Sequence, residues 1–569
     1  MVARRLKPTP LLSIRPDRER APGFARRPVP AQLGALALLV FALLLPLSPA
    51  RSQDGGEGEP AGAEARELDP FEQLNRDYDQ PVERPKTEPG EGRTPNPGRA
   101  TSEKPGQTRP PSRGTGSESP LDSSPSRLSD EPVPLQLDDV PNRPTPLLEL
   151  GSPFLGNGPI SLGIELPTGS VWQPSVLIYG TFRSGINVWR ETFGRNRSGA
   201  EDFVEWANRF DLFANVQLAG FNNERLVIGM RPLDEALYGK DFTGWRFEPT
   251  SEDGSVNEFN SRLSALFFEG DLGEILPFLD EEDSRALDIG FSVGRQELVF
   301  QSGVMINDIV DSVGITRNNA GVSWASNLRI TALYGWNQIH RGNFQRDDSA
   351  ELIGLFTSTD FGVTTIDLDA ALTLAPRDTG DAFHAGVSAT QRLGGSINTT
   401  LRANVSLPVD GDRNQTTNTR GGLLIFESSW TPTGTEDNLY VNAYVGIDRY
   451  MSAARSPSTG GPLERVGILY TAIGLGRFPS ALNGFPERSV GGGIGYQWFF
   501  HTTTRQLIVE LGGRKETTST GPARGMLALG ARFQQAFWQR FIFRVDGFGR
   551  LEEGLQEAWG GHTELTIRF

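Results

Sequence analysis

Cysteine is absent from the 569 residues, and histidine nearly so, with four. Without cysteine there is no disulfide scaffold, thiolate zinc site, iron–sulfur cluster or cysteine nucleophile. The histidines, His340, His384, His501 and His562, are too far apart in sequence to form a local ligand pair such as His-Glu-x-x-His, so no metal and no cofactor is expected. Basic residues are outnumbered: 55 Lys and Arg face 70 Asp and Glu, a formal charge of −15. Nonspecific nucleic-acid binding depends on neutralising phosphates, and this balance argues against it. Helix-length apolar runs are missing too, and one shorter run stands out, Ala31 to Leu45. At about 15 residues it falls short of the roughly 18 to 20 that span a bilayer as a helix. Arg4, Arg5, Lys7, Arg26 and Arg27 precede it and Ser48-Pro49-Ala50 follows, the form of a secretory signal with an extended basic start, cleaved after Ala50 or Ser52. The alternative is a start codon placed too early, or a retained anchor helix. No cysteine follows, so the signal is not that of a lipoprotein.

Residues 1–52 are accordingly read as a signal peptide. From 53 to 146 the composition turns to Pro, Gly, Ser and charge, with Phe71 and Tyr78 the only aromatics. Such a stretch cannot bury enough apolar surface to offset its chain entropy, and is expected to be a disordered periplasmic tether. Within it, Asp69-Pro70-Phe71-Glu72-Gln73-Leu74-Asn75-Arg76 reads as a helical turn or docking peptide, and resembles a short motif near the start of some lipid-asymmetry lipoproteins.

From 147 to 569 the texture is strictly two-periodic. Ile397, Leu401, Ala403, Val405 and Leu407 share one face of a strand, and Asn398, Thr400, Arg402, Asn404 and Ser406 the other. Phe210 to Leu218 and Leu439 to Ile447 repeat the scheme. Further strands are expected to begin near Val176, Arg225, Arg262, Leu287, Val322, Leu352, Val363, Phe383, Leu423, Val466, Val490, Gln506, Met526, Phe541 and Trp559. Turn-rich segments such as Phe221-Asn222-Asn223-Glu224 and Leu393-Gly394-Gly395-Ser396 separate them.

Alternation alone fits a soluble sheet as well as a membrane barrel. The length of the uninterrupted series, about 16 to 18 strands, exceeds an ordinary sandwich. All ten Trp lie between Trp172 and Trp559, often near strand ends (Trp189, Trp206, Trp324, Trp336, Trp430, Trp498), where an aromatic girdle belongs. The last strand, Trp559 to Phe569, ends on an aromatic residue with Ile567, Leu565 and Trp559 on its apolar face. That ending resembles the final-strand signal of bacterial outer-membrane barrels, which their assembly machinery recognises. The expected fold is therefore all-β: a transmembrane antiparallel β-barrel of about 16–18 strands, preceded by a signal peptide and a disordered Pro-rich segment. The expected partners are outer-membrane lipid and, through Phe569, the barrel assembly machinery; a homo-oligomer is compatible with this architecture. Apolar faces meet lipid, and polar faces an aqueous lumen.

One segment departs from plain alternation: Gly294-Arg295-Gln296-Glu297-Leu298-Val299-Phe300-Gln301-Ser302-Gly303-Val304-Met305-Ile306-Asn307-Asp308. Through Gly294 to Glu297, Gly303 and Ile306 it resembles the "GRQ" segment of the alginate-export family and related large outer-membrane porins. The resemblance implies an 18-stranded barrel conducting anionic polysaccharide, with lumen-facing arginines. The continuation departs from the family, because Val310-Asp311-Ser312-Val313-Gly314-Ile315-Thr316-Arg317 replaces the expected Asp-Trp and Arg-x-Phe-Asp. Arg295 shares parity with the apolar Leu287, Ile289, Phe291 and Val293. A charge in that register costs about 2–4 kcal/mol at mid-membrane. Either a bulge near Gly294 rotates it inward, or it lies beyond the apolar band and meets headgroups.

Face arithmetic gives the other lumen candidates. Leu226, Ile228 and Met230 face lipid, which turns Arg225 and Arg231 inward. Leu527, Leu529, Ala531 and Phe533 do the same for Arg532, and Phe541, Phe543 and Val545 for Arg544 and Asp546. With Arg295 and Arg402 these form the expected pore-lining or solute-binding set, and an inward excess of Arg favours anions. A balanced network, with Asp367, Asp369, Asp448 and Glu510 as partners, is the alternative. His384, His501 and His562 read as girdle or surface histidines rather than bases, so no catalytic residue is assigned and no enzyme is expected. Asp280-Glu281-Glu282-Asp283 reads as a solvated turn rather than a calcium site. The function these features suggest is an outer-membrane channel, porin-like, for passive diffusion or export of small or polymeric, anionic solutes. The alternative is a plugged structural barrel whose tether docks an envelope partner.

Overall fold

Eighteen strands hydrogen-bond in chain order into a closed antiparallel barrel. The computed structural model describes residues 144–569, except for connecting segments at 152–163, 166–170, 193–199, 218–223, 235–241, 248–253, 276–288, 410–416, 501–503 and 518–523 and a few positions in other turns. The signal, the tether, the docking peptide, His501 and the acidic run at 280–283 lie outside the described residues. The barrel strands are β1 (Ser175–Thr192), β2 (Ala200–Gln217), β3 (Arg225–Met230), β4 (Leu263–Asp271), β5 (Ile289–Phe300) and β6 (Ile306–Arg317). They continue as β7 (Asn327–Asn337), β8 (Glu351–Phe361), β9 (Thr364–Leu374), β10 (Ala382–Leu393), β11 (Ile397–Pro408) and β12 (Gly421–Trp430). The last six are β13 (Asn438–Asp448), β14 (Ser489–Phe500), β15 (Arg505–Glu516), β16 (Gly525–Phe537), β17 (Phe541–Glu552) and β18 (Ala558–Arg568). Closure comes from β18 pairing with β1, from Trp559 opposite Arg190 to Arg568 opposite Thr181. Phe569 extends that seam: its backbone N–H donates to the Gly180 carbonyl at 3.1 Å and its carbonyl accepts from Gly180 at 2.8 Å. A closed ladder leaves no strand edge unsatisfied, which lipid requires.

Alternation places the side chains as the sequence implies. On β11, Leu401, Val405 and Leu407 are exposed on the outside, whereas Arg402, Asn404 and Ser406 are buried inside. Leu527 and Leu529 on β16 are likewise exposed and Ala528 buried. Trp206, Trp336, Trp430, Trp498 and Trp559 stand on the outer surface. Trp189 does not. It is 4% exposed and packs against Phe478 inside, in place of the expected girdle position.

The two rims differ. At the rim holding the C-terminus the turns include the tight Gly362-Val363 and Gly394-Gly395-Ser396, with Gly394 and Gly395 at φ of 56° and 74°. The positive φ suits glycine in a tight hairpin. The opposite rim carries the long connections, 231–262 and 449–488. Short turns beside the termini and long loops opposite are the arrangement of outer-membrane barrels.

The 449–488 connection folds into the lumen, which corrects the expectation of a strand from Val466. Val466 ends a short 3₁₀ turn and is fully buried. Three apolar clusters lie inside the barrel, and this loop contributes to each. Ala453 and Ala454 join Leu333, Leu352 and Phe356. Leu463, Leu469, Tyr470 and Leu482 join Leu423, Ile425 and Tyr444. Ile473, Leu475 and Phe478 join Trp189 and Ala207. A two-residue strand, Ala454–Arg455, pairs in parallel with the start of β6.

Candidate functional site

Wall side chains hold this inward loop by its backbone. Glu510 of β15 is fully buried and accepts the N–H groups of Ile468 and Leu469 at 2.8 and 3.1 Å, together with the Tyr440 hydroxyl. Glu205 of β2 accepts the Arg477 N–H, and Asn187 donates to the Leu475 carbonyl at 3.1 Å. Arg514 donates to the carbonyls of Asn483 and Phe485 at 2.7 and 3.0 Å, and Arg550 to that of Ala481 at 3.2 Å. A long irregular segment buried in a lumen must place its backbone polar groups somewhere. Here polar and ionisable side chains of the wall take several of them, and others pair with backbone, as the Leu463 N–H does with the Gly484 carbonyl.

Beside the loop, five arginines project inward from neighbouring staves: Arg532 on β16, Arg544 on β17, Arg183 on β1, Arg209 on β2, and Arg231 just past β3. Arg532 and Arg544 share Asp546. Arg183 grips Glu564 through Nε and Nη2 at 2.7 and 2.8 Å. Arg209 and Arg231 share Asp211, at 2.9 and 2.6 Å. Asp234 lies 4.0 and 3.7 Å from the same two guanidinium groups. Burial lifts the Asp234 carboxyl to about 6, although Arg231 and Arg209 pull it down. Five cations therefore meet four carboxylates, one of them held high. His562 belongs to this cluster, within hydrogen-bond reach of Asn187 and, at 3.1 Å, of Glu564. His384 is also buried on an inward face. Neither is a girdle or surface histidine, because each shares the parity of lumen-facing neighbours.

The expected arginine set thus divides. Arg231, Arg532 and Arg544 come together. Arg402 stands on another sector, 2.9 Å from Glu427, which also faces Arg465 of the inward loop at 3.5 Å. Arg225 is half-exposed at the turn end of its strand and pairs with Glu269. Arg295 pairs with Asp311 directly opposite it on β6, at 2.7 Å. No bulge rotates Arg295: the β5–β6 register runs without a shift from Ile289 opposite Arg317 to Phe300 opposite Ile306. Gly294 does take a φ of 126°. None of Asp367, Asp369, Asp448 or Glu510 is an ion-pair partner of these six arginines among the described residues; the partners are Glu269, Asp211, Asp234, Asp311, Glu427 and Asp546.

Across the lumen, against β5 to β9, lies a cavity of about 630 Å³. Hydroxyl and amide groups of Ser292, Gln296, Thr316 and Ser358 line it, with the stacked Phe300 and Phe356 rings at one side. Its carboxylates are engaged in the wall: Asp369 accepts from Gln301 at 2.8 Å and Asp367 from Ser388 at 2.6 Å. Its one lining arginine, Arg329, is exposed to the cavity and forms no ion pair among the described residues. Arg329, Arg183 and Arg209 were not in the sequence-derived set. The same parity argument finds Arg329, since Leu328 and Ile330 flank it.

No family model matches the chain, and no curated protein matches it. Among solved structures it is similar to Pseudomonas aeruginosa OccK1 (OpdK), at 11% identity and a TM-score of 0.44, over 68% of this chain and 98% of that one. It is similar also to a BenF-like porin from Pseudomonas fluorescens Pf-5, at 11% identity and a TM-score of 0.47, over 69% and 98%. Acinetobacter baumannii OccAB2 matches at 9% identity and a TM-score of 0.45, over 69% and 98%. The resemblance to the alginate-export family finds no support in these comparisons.

Proposed function

We propose that the protein is a passive channel of the outer membrane, narrowed by its 449–488 loop and preferring anions. An 18-stranded barrel is wide enough to leave an aqueous lumen, and a wide lumen admits solutes with little selection. The loop fills part of it with apolar side chains, and what stays open is polar. The observation that carries the reading is the 630 Å³ cavity, whose single arginine forms no close ion pair among the described residues while the two carboxylates beside it, Asp367 and Asp369, are held by Ser388 and Gln301. A mobile anion is free to take that place. Across the lumen, the paired arginines supply a fixed positive excess while their carboxylates hold them in position. The signal and tether of residues 1–146 fit delivery to the periplasm, and Phe569 fits recognition by the assembly machinery.

A second reading has its own support: the loop joins all three internal clusters, as a permanent plug would. Planar-bilayer recording of the purified barrel separates the two. The channel reading expects small, discrete conductance steps and a reversal potential displaced toward the anion in a salt gradient. A plug conducts nothing, and a cation-side reversal potential would reject the anion preference.

A further inference from the structure

At the long-loop rim, where β3 ends and β4 begins, a separate cavity of about 40 Å³ is bounded by Arg231, Asp234, Arg262, Ser264, Arg295 and His340. Two of the sequence-derived arginines, Arg231 and Arg295, meet only here. Four side-chain atoms around this space are buried with no hydrogen-bond partner: Asp234 Oδ1, Arg262 Nη1, Ser264 Oγ and His340 Nε2. Asp234 and His340 are 3% and 4% exposed. Buried polar groups are seldom left unpaired, because each costs about 1–3 kcal/mol. Four around one cavity call for an occupant.

The four orphans are of two kinds. Arg262 Nη1 and the Ser264 hydroxyl donate. Asp234 Oδ1 accepts, and so does His340 Nε2 in the neutral ring: Nδ1 lies 2.9 Å from Asp308 Oδ1, the place for the ring's proton. Arg231 and Arg295 add positive charge, though Asp211 and Asp311 hold their Nε atoms. A water needs roughly 10–15 Å³ on this measure, so the cavity takes the bulk of about three waters, the size of one oxyanion group and too small for a sugar ring.

We propose that this pocket binds free hydrogen phosphate, with Arg262 and Ser264 donating to its oxygens and its one P–OH proton shared between Asp234 and His340. The mixed donor and acceptor set discriminates. Sulfate matches phosphate in size and charge but carries no proton at neutral pH, so it would bring an oxygen against the Asp234 carboxylate. A site built to accept a hydroxyl rejects the analogue that lacks one.

The test is calorimetric titration of the full-length refolded barrel in detergent, free of lipopolysaccharide, with sodium phosphate and with sodium sulfate at pH 7 and matched ionic strength. Lipid phosphate is then absent, and free phosphate is the only source. Saturable phosphate binding is expected, with sulfate at least about tenfold weaker. Arg262→Gln should weaken phosphate at least about tenfold, and the smaller change Ser264→Ala should weaken it measurably. Asp234→Asn, which supplies a donor, should shrink the preference for phosphate over sulfate. Heat-modifiable migration checks that each variant is folded. No saturable phosphate binding, equal binding of sulfate, or binding untouched in both Arg262→Gln and Ser264→Ala would overturn the site and leave water as its occupant. The titration needs no conductance, so a barrel that binds phosphate but passes no current would sink the channel reading and spare this one.

Discussion

The barrel wall and the loop inside it are held together by opposite means. The wall is a backbone ladder, closed on itself, whose side chains are free to serve lipid on one face and solute on the other. The loop has almost no ladder. Its backbone is satisfied one group at a time, partly by wall side chains such as Glu510, Glu205, Asn187, Arg514 and Arg550 and partly by scattered backbone bonds such as Leu463 N–H to the Gly484 carbonyl, and its side chains contribute to the three internal apolar clusters. Charge in the lumen therefore has two duties. Some of it anchors the loop, some of it pairs across staves, and only what remains uncommitted is available to a permeating ion.

Removing the loop should have the largest effect. Replacing residues 450–486 by a short Gly/Ser linker leaves all eighteen strands and the β18–β1 seam intact, so the protein should still migrate in a heat-modifiable way. Its single-channel conductance should rise by about an order of magnitude, toward that of an open lumen of this strand number. Unchanged conductance would mean that the loop does not restrict the path.

A single anchor should matter less. Glu510→Ala removes the acceptor of two buried loop N–H groups, at about 1–3 kcal/mol each. The barrel should fold, while limited proteolysis cuts within 449–488 and single-channel current grows noisier. Glu510→Gln keeps one acceptor oxygen and should fall between wild type and Ala. A loop as protected in Glu510→Ala as in wild type would show that apolar burial alone holds it.

This contrast also explains what could be read from the sequence. Period two reports one face in lipid and one in water, and it placed the start of fifteen barrel strands within two residues, that of β7 five residues early and that of β2 ten residues late. It failed where the lumen is dry. β6 was missed because its Val310, fully buried in the cluster that holds Ala454, is as apolar as the flanking Ile309 and Val313, so no alternation shows. The run Val466-Gly467-Ile468-Leu469-Tyr470 was read as a strand because nothing in its composition separates a lipid-facing segment from one packed in the lumen. A signal was present nonetheless: Leu423-Leu424-Ile425-Phe426 is apolar on both faces, with Leu424 and Phe426 outside and Leu423 and Ile425 against the loop. Strands that lose their alternation mark where something docks inside. Arg402, Arg532 and Arg544 do sit on the inner face, but the partners of Arg402 and Arg532 come from the neighbouring stave, and that pairing requires the register. That is why Glu427 and Asp311 went unrecognised as partners, and why Asp546, placed in the lumen beside Arg544, was not matched to Arg532.

The smallest expected effect concerns the uncommitted charge, and it sharpens the division of duties most. Arg402 is 6% exposed, with Glu427 at 2.9 Å. Arg402→Gln would leave that carboxylate with Arg465 alone, at 3.5 Å. Breaking a fully buried pair costs about 3–5 kcal/mol, and less here because Glu427 keeps some exposure and a second cation. Its main consequence should be a lower yield of folded barrel. Arg329 anchors nothing among the described residues, so Arg329→Gln should fold at wild-type yield and lower the anion/cation permeability ratio modestly, by about twofold or less. One charge in a wet lumen acts over a Debye length of only about 8 Å at physiological salt. Reversal potentials in a salt gradient give the ratio, and the difference between Arg329→Gln and wild type should fade as salt rises. Should Arg402→Gln fold normally and change selectivity more than Arg329→Gln, paired arginines would be the ones the ions meet, and the separation of anchoring charge from working charge would fail.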